Sequence, residues 1–469
     1  MIKILQKAKE NKFVELLKEL LSNKFFPLIL IPISLLCYYL SLDIVMIYII
    51  GILGTLIFLL LEDISPIVAV LLFMSIIVSN KHSPLILDGS SDYYYRTAIL
   101  VQIFIITAIL IASAIYRLTL NVSKKKFSLS PIFFSFCAIA VVFLLNGIFS
   151  KGYISKNLLY GLIMALCFLG IFSIVKDKII VNQYSFVKIA YGFFAFAVVL
   201  VIELTVRYFA VENIFVDGNI KRELLTFGWG IWNTIGMYLV LCIPFVVYLA
   251  GKEKYGFIFA IASEVVFFAS IMSCSRQSII GALIVYPLCL LIMFTKGKNR
   301  LKNAGLMLAV LAVFIVFVLS FNYSLVKYFA ELFKKIMADG ELSGNGRMRI
   351  WEEALAHFKS APIFGAGFYV DTSAAHFSGL NFIPKLMHST IMEFLSSCGI
   401  VGLIVYLAHR VLTVISYLKN ITVERTYLML AIAVFLIISL FDNHLFNIFP
   451  TIIYSCLIAA LAGSENKRI

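Results

Sequence analysis

Fourteen apolar runs, most of them fifteen to twenty-one residues long, occupy most of the chain. They cover approximately 27–41, 44–61, 64–79, 97–116, 131–149, 157–175, 187–206, 230–250, 255–273, 276–294, 303–322, 388–408, 425–441 and 445–463. About 20 helical residues cross the hydrocarbon core of a bilayer. Only a helix or a closed barrel satisfies its own backbone there. The pattern therefore specifies an all-α polytopic membrane protein of about 12–14 transmembrane helices. The range allows the first pair to form one broken hairpin and the turn at 273–276 to lie within the membrane. Composition agrees. Of the 469 residues, 62% are hydrophobic and 14% charged, against roughly 45–50% and about 25% in soluble domains. A water-soluble enzyme, a nucleic-acid-binding domain and a disordered chain are excluded.

The net charge of +14 reads as basic residues gathered in cytoplasmic loops, with a share left for an anionic substrate. Starting inside and alternating puts most Lys and Arg on the inner side. Among them are Lys124, Lys125 and Lys126, then Lys296, Lys298, Arg300 and Lys302. Both termini are then cytoplasmic, and segments 207–229, 273–276 and 323–387 face out. Residues 1–26 form a cytoplasmic amphipathic segment in which Phe13, Leu16, Leu17, Leu20 and Leu21 follow helical spacing. No small-residue cleavage site follows, so a signal peptide is not expected. Residues 27–322 then carry eleven helices, 323–387 a large extracytoplasmic catalytic loop, and 388–469 the C-terminal helices. Within the loop, Tyr328, Leu332 and Ile336, then Ile350, Ala354 and Phe358, recur near helical spacing, so short helices are expected there. The eight cysteines lie in or beside apolar runs without a CxxC pair. They read as core side chains rather than disulfide or zinc ligands.

Three outer-side features carry candidate chemistry. Arg276 lies in Ser273-Cys274-Ser275-Arg276-Gln277-Ser278, where a charge between two spans requires a partner. Arg347 and Arg349 follow a glycine turn where a helix begins, and helix N-termini and guanidinium groups both favour phosphate oxygens. His388 stands where the long loop re-enters the membrane, with Glu393 one turn deeper. Histidine takes up a proton near neutral pH; Glu393 is placed either to orient it or to pair with an arginine. Fixed cations and one candidate base on a single face suit a lipid-linked pyrophosphate. Each feature also has a bland reading, as an interfacial arginine, a solvated turn or a structural histidine. Lys221 and Arg222 in the 207–229 loop, and Arg207, four residues after Glu203, are further substrate contacts or plain structural charges. Asp371, His376, Asp442 and His444 rank lower as bases or cavity residues. No metal ligand set and no cofactor motif stands out.

The order of these segments resembles the O-antigen ligase and O-antigen polymerase superfamily of bacterial envelope glycan enzymes. The resemblance covers roughly 225–410. It is carried by SCSRQSIIGA at 273–282, GRMRIWEEALAHFKSAPIFGAGF at 346–368 and HSTIMEFLSSCGIVGLIVY at 388–406, with Asn233 and Pro244 upstream. It implies metal-independent glycosyl transfer on the outer face of the bacterial inner membrane, with inversion at the anomeric carbon. The implied donor is an undecaprenyl-pyrophosphate-linked glycan. Arg276 and Arg347 would grip the pyrophosphate and His388 would be the base. Many members read His-Asn where this chain reads His388-Ser389, so no role of that asparagine transfers. The product is expected to be a polymer of O-antigen or capsule repeat units, with a chain-length regulator protein as a partner. The alternative is an O-antigen ligase that passes the glycan to lipid A-core. A lipid-linked oligosaccharide flippase is the remoter alternative, since transporters tend to show repeats and midplane charges.

Overall fold

The computed structural model describes residues 12–40, 42–77, 97–123, 129–149, 155–176, 178–179, 182–211, 214–216, 219–221, 224–225, 232–298, 300–321, 327, 330, 347–368 and 387–463. All fourteen apolar runs are helical. After a short α1 (Lys12–Ser22) come α2 (Phe26–Tyr39), α3 (Asp43–Leu60), α4 (Ile67–Ile77), α5 (Thr97–Ser123) and α6 (Pro131–Phe149). The sixth run is α7 (Ser155–Ala165) and α8 (Ile171–Val175), joined through a π-helical turn at Leu166–Gly170. Then follow α9 (Gln183–Ala210), α10 (Trp232–Lys252), α11 (Gly256–Met272), α12 (Arg276–Lys296) and α13 (Arg300–Phe321). The amphipathic α14 (Arg347–Ser360) precedes α15 (Thr390–Lys419), α16 (Val423–Ser439), a 3-10 turn at His444–Phe446 and α17 (Ile448–Gly463). A two-residue hairpin, β1 (Phe215–Val216) against β2 (Asn219–Ile220), is the strand structure among the described residues.

Five helical segments are long and apolar enough to cross a membrane among the described residues, and seven further apolar helices have 10–17 such residues. The bundle is an all-α polytopic membrane protein. Its centre is α10, whose residues Ile235 to Gly251 are all buried against α9, α11, α12 and α16. Pro244 inside α10 is tolerable because neighbouring helices surround the backbone it frees. Lipid-facing helices keep large apolar side chains exposed, such as Phe104 on α5 and Val313 on α13. Helix α1 meets α2 at 85° and exposes Phe13, Leu16 and Leu20, an apolar face suited to a membrane surface.

Polar contacts sort the helix ends into two sets. At one end Lys24 pairs with Glu253 at 2.8 Å, Lys188 with Asp63 at 3.0 Å and Lys252 with Glu424 at 3.8 Å. At the other end Asn233 meets Asp442, Tyr208 donates to the Met272 carbonyl, and the Trp351 indole donates to the Met387 carbonyl. Each pair joins segments that an up-down alternation of the fourteen runs puts on one face.

Helix α15 is broken at Gly399 (φ 66°), and the break is welded to the loop after α14. Ala366 and Gly367 donate backbone N–H to the carbonyls of Ser396 and Ser397; Ile400 and Val401 donate to those of Pro362 and Ile363. Asn146 on α6 adds a side-chain bond to the Ser397 carbonyl. Gly365 (φ 81°) faces Gly399 across this seam, and a Cβ on either would strike the opposite backbone. Only glycine meets both demands without strain. Gly399→Ala is expected to destabilise the protein by about 2 kcal/mol or more, read as a lower thermal unfolding midpoint in detergent. Gly305→Ala, where a Cβ meets open space, should not lower the midpoint.

Candidate active site

Four chain segments far apart in sequence meet at the second helix end. The first is the turn between α11 and α12. Cys274 adopts a left-handed backbone there (φ 57°) and turns the chain sharply into Ser275, the extended residue before α12. Arg276 then stands on the first turn of α12, and its Nε is buried with no protein acceptor among the described residues. The second segment is the start of α10. Asn233 accepts a hydrogen bond from Ser275 Oγ (3.0 Å) and donates to Asp442 Oδ2 (3.2 Å).

The third segment carries His388, the second non-glycine residue with a left-handed backbone among the described residues (φ 50°). A strained backbone of this kind persists only when the surroundings hold it, and here Glu393 does so. Fully buried, Glu393 accepts from the Met387 N–H (2.8 Å), Asn443 Nδ2 (2.7 Å) and Ser397 Oγ (2.8 Å). It thereby ties the residue before His388 to the residue after Asp442. The fourth segment is the turn after α16. Asp442 Oδ1 lies 3.4 Å from His388 Nδ1, with side-chain exposures of 44% for the histidine and 11% for the aspartate. Gln277 Nε2 reaches both Asp442 Oδ2 (3.3 Å) and His444 Nε2 (3.2 Å).

Asp442 is the hub of this network. Burial would raise its carboxyl pKa, but contact with His388, the fields of His444 and His388, and the Asn443 N–H outweigh burial and hold it below the usual carboxylate range. It is therefore an anion at neutral pH. Burial lowers His444, against the pull of Asp442 and with a further push from His388. A neutral His444 can then accept from the Gln277 amide. For His388, an anion beside Nδ1 favours the tautomer with the proton on that nitrogen and leaves Nε2 as the basic edge.

The expected site residues divide into those at the network and those elsewhere. Arg276 and His388 are at it, with Glu393 beneath. Arg347 opens α14, half-buried, and Trp351 one turn on docks that helix on the Met387 carbonyl. Residues four apart share a helix face, so Arg347 lies on the same face of α14 as Trp351. Arg349 is exposed. Arg207 is buried in α9, within the electrostatic neighbourhood of Glu203 and Tyr39. Lys221 is exposed just after the β1–β2 hairpin. Arg222, Asp371, His376 and the 328–336 helical pattern lie outside the described residues, whereas the 350–358 pattern is α14.

Residues 257–407 match the O-antigen ligase family model. This stretch is similar to that family, and it spans less than half of the chain. The O-antigen ligase match runs from α11 to the middle of α15 and contains Arg276, Arg347, Arg349, His388 and Glu393; Asn233, Asp442 and His444 lie beyond it. No curated protein matches the chain.

Glu393 is a brace whose hydrogen bonds an amide can reproduce. Glu393→Gln would still accept from Met387 and Asn443 while donating to Ser397. Its folded yield and turnover should stay within about fivefold of wild type. Glu393→Ala leaves three buried donors without this acceptor, at about 1–3 kcal/mol each, and should lower the unfolding midpoint and turnover together.

Proposed function

We propose that the protein transfers a glycan from an undecaprenyl pyrophosphate carrier to a hydroxyl acceptor, using the network around His388 and Asp442. The observation that carries this reading is the exposed imidazole held against a buried carboxylate, one residue removed from the arginine turn through Gln277. In the proposed step, His388 Nε2 takes the proton of the acceptor hydroxyl. The acceptor oxygen bonds to the anomeric carbon as the carbon–oxygen bond to pyrophosphate breaks, and configuration inverts. The electron pair leaves with the lipid pyrophosphate, whose charge Arg276 and Arg347 neutralise in place of a metal ion. Arg349, Lys221, Arg222 and Arg207 supply further cationic contacts to phosphate or glycan.

The acceptor we favour is a second lipid-linked repeat unit, so that the product is an O-antigen or capsule polymer. A chain rich in Ile and Phe, with more Lys than Arg, suits the AT-rich genes common in polysaccharide clusters. The ligase reading, with lipid A-core as acceptor, is favoured by the description of the matching family. In either case the protein sits in the bacterial inner membrane, both termini cytoplasmic, with the site facing outward.

The test is an assay of purified protein with a lipid-linked repeat unit and no added metal, products resolved on a gel. A ladder from donor alone supports polymerisation; transfer only after lipid A-core is added supports ligation. Neither product from a competent donor contradicts glycosyl transfer. Arg276→Ala and Arg347→Ala should each lower transfer at least about 100-fold while the protein inserts normally. His388→Ala should stop turnover yet leave donor affinity within about threefold, so loss of binding with unchanged chemistry per bound donor would assign it a binding role instead.

A further inference from the structure

At the bundle end opposite His388, two interhelical turns are pressed together. The Lys298 N–H donates to the Gly251 carbonyl (2.7 Å), and Asn303 Nδ2 donates to the Ala250 carbonyl (2.8 Å). Gly251 and Gly297 abut, each a few ångströms from where the other's Cβ would stand, so the α10–α11 and α12–α13 connections touch. That contact gathers Lys254, Lys296, Lys298, Arg300 and Lys302, all exposed. The acids nearby are engaged elsewhere: Glu253 with Lys24, and Glu424 with Tyr248 and Lys252. Five like charges drawn together by backbone contacts repel one another, and the cluster calls for an anion.

The surroundings indicate which anion. Lys254 lies over the ring of Tyr255 and Lys302 over that of Phe257, both at 5.5 Å. Tyr255, Phe257, Ile258, Leu291 and Leu308 are exposed on the same helices, running from the cationic turns onto the apolar flank of the bundle. Amphipathic rings at a helix end mark the headgroup level of a bilayer, and basic pockets between membrane helices bind anionic lipid headgroups. A ligand with phosphate above and acyl chains below matches both halves of this surface.

We propose that the joined turns at 252–257 and 296–302 form a binding site for an anionic glycerophospholipid, its phosphate on Lys254, Lys298, Arg300 and Lys302 and its chains along α11–α13. The proposal needs only that the chain is membrane-embedded and does not depend on the reaction at His388.

Full-length protein, delipidated in detergent, would be titrated with phosphatidylglycerol and with phosphatidylcholine of the same acyl chains, and bound lipid counted by native mass spectrometry. Each basic residue near an anionic lipid contributes about fivefold in affinity. The wild type should therefore prefer phosphatidylglycerol by about tenfold or more, falling with added salt. The quadruple variant Lys254→Gln, Lys298→Gln, Arg300→Gln, Lys302→Gln should drop below about threefold with an unchanged unfolding midpoint. A control carrying Lys12→Gln and Lys18→Gln on α1 should keep the full preference. The same preference in the quadruple variant as in wild type would overturn the site. So would displacement of the lipid by equimolar glycerol phosphate, which would make it a free-anion site. Retention of an acidic protein with no lipid preference would overturn it in favour of a protein partner.

Discussion

A buried carboxylate with several donors around it organises the His388 end of this molecule. Asp442 receives Asn233 and Gln277 on one oxygen and faces His388 and its own neighbour's N–H with the other. Asn233, Gln277 and His388 come from different parts of the bundle, so the single anion locks α10, α12 and the turns at His388 and Asp442 into one geometry. Burying a charge is costly unless it is paired and hydrogen-bonded. Here that requirement forces the four segments together, which makes the carboxylate both a structural clamp and a partner for the imidazole.

The strain is distributed in the same way. Cys274 and His388 are the two non-glycine residues with left-handed backbones among the described residues; the first lies two residues before Arg276 and the second is the candidate base itself. Glu393 holds the His388 segment from below, and the weld at Gly399 fixes the part of α15 that carries Glu393. A rigid shell under a half-exposed histidine keeps its reactive edge in place without using that edge for support. This is the arrangement that general-base catalysis requires.

Much of this was legible in the sequence because it is local. The apolar runs are helices since each satisfies its own backbone, and α14 followed from the spacing of Ile350, Ala354 and Phe358. Arg276 and His388 stood out as polar residues at span boundaries. Asp442 also stood at such a boundary, in a short Asp-Asn-His turn, but its weight comes from contacts to Asn233 and Gln277 that are 209 and 165 residues away. No periodicity encodes those. Glu393 read equally well as a support for His388 or a partner for an arginine; its three buried donors are a tertiary fact. Gly365-Ala366-Gly367 permits a tight bend, but its pairing with the broken α15 is not written in the sequence, because a helix period continues straight through Gly399.

The most direct test of the account is Asp442→Asn, which keeps the shape of the hub and removes its charge. With donor binding measured separately from single-turnover transfer, the amide variant should bind the lipid-linked donor within about threefold of wild type. Its transfer rate should fall by about 100-fold or more, since the histidine loses the anion that fixes its tautomer. Transfer at the wild-type rate by a properly folded Asp442→Asn protein would contradict the account.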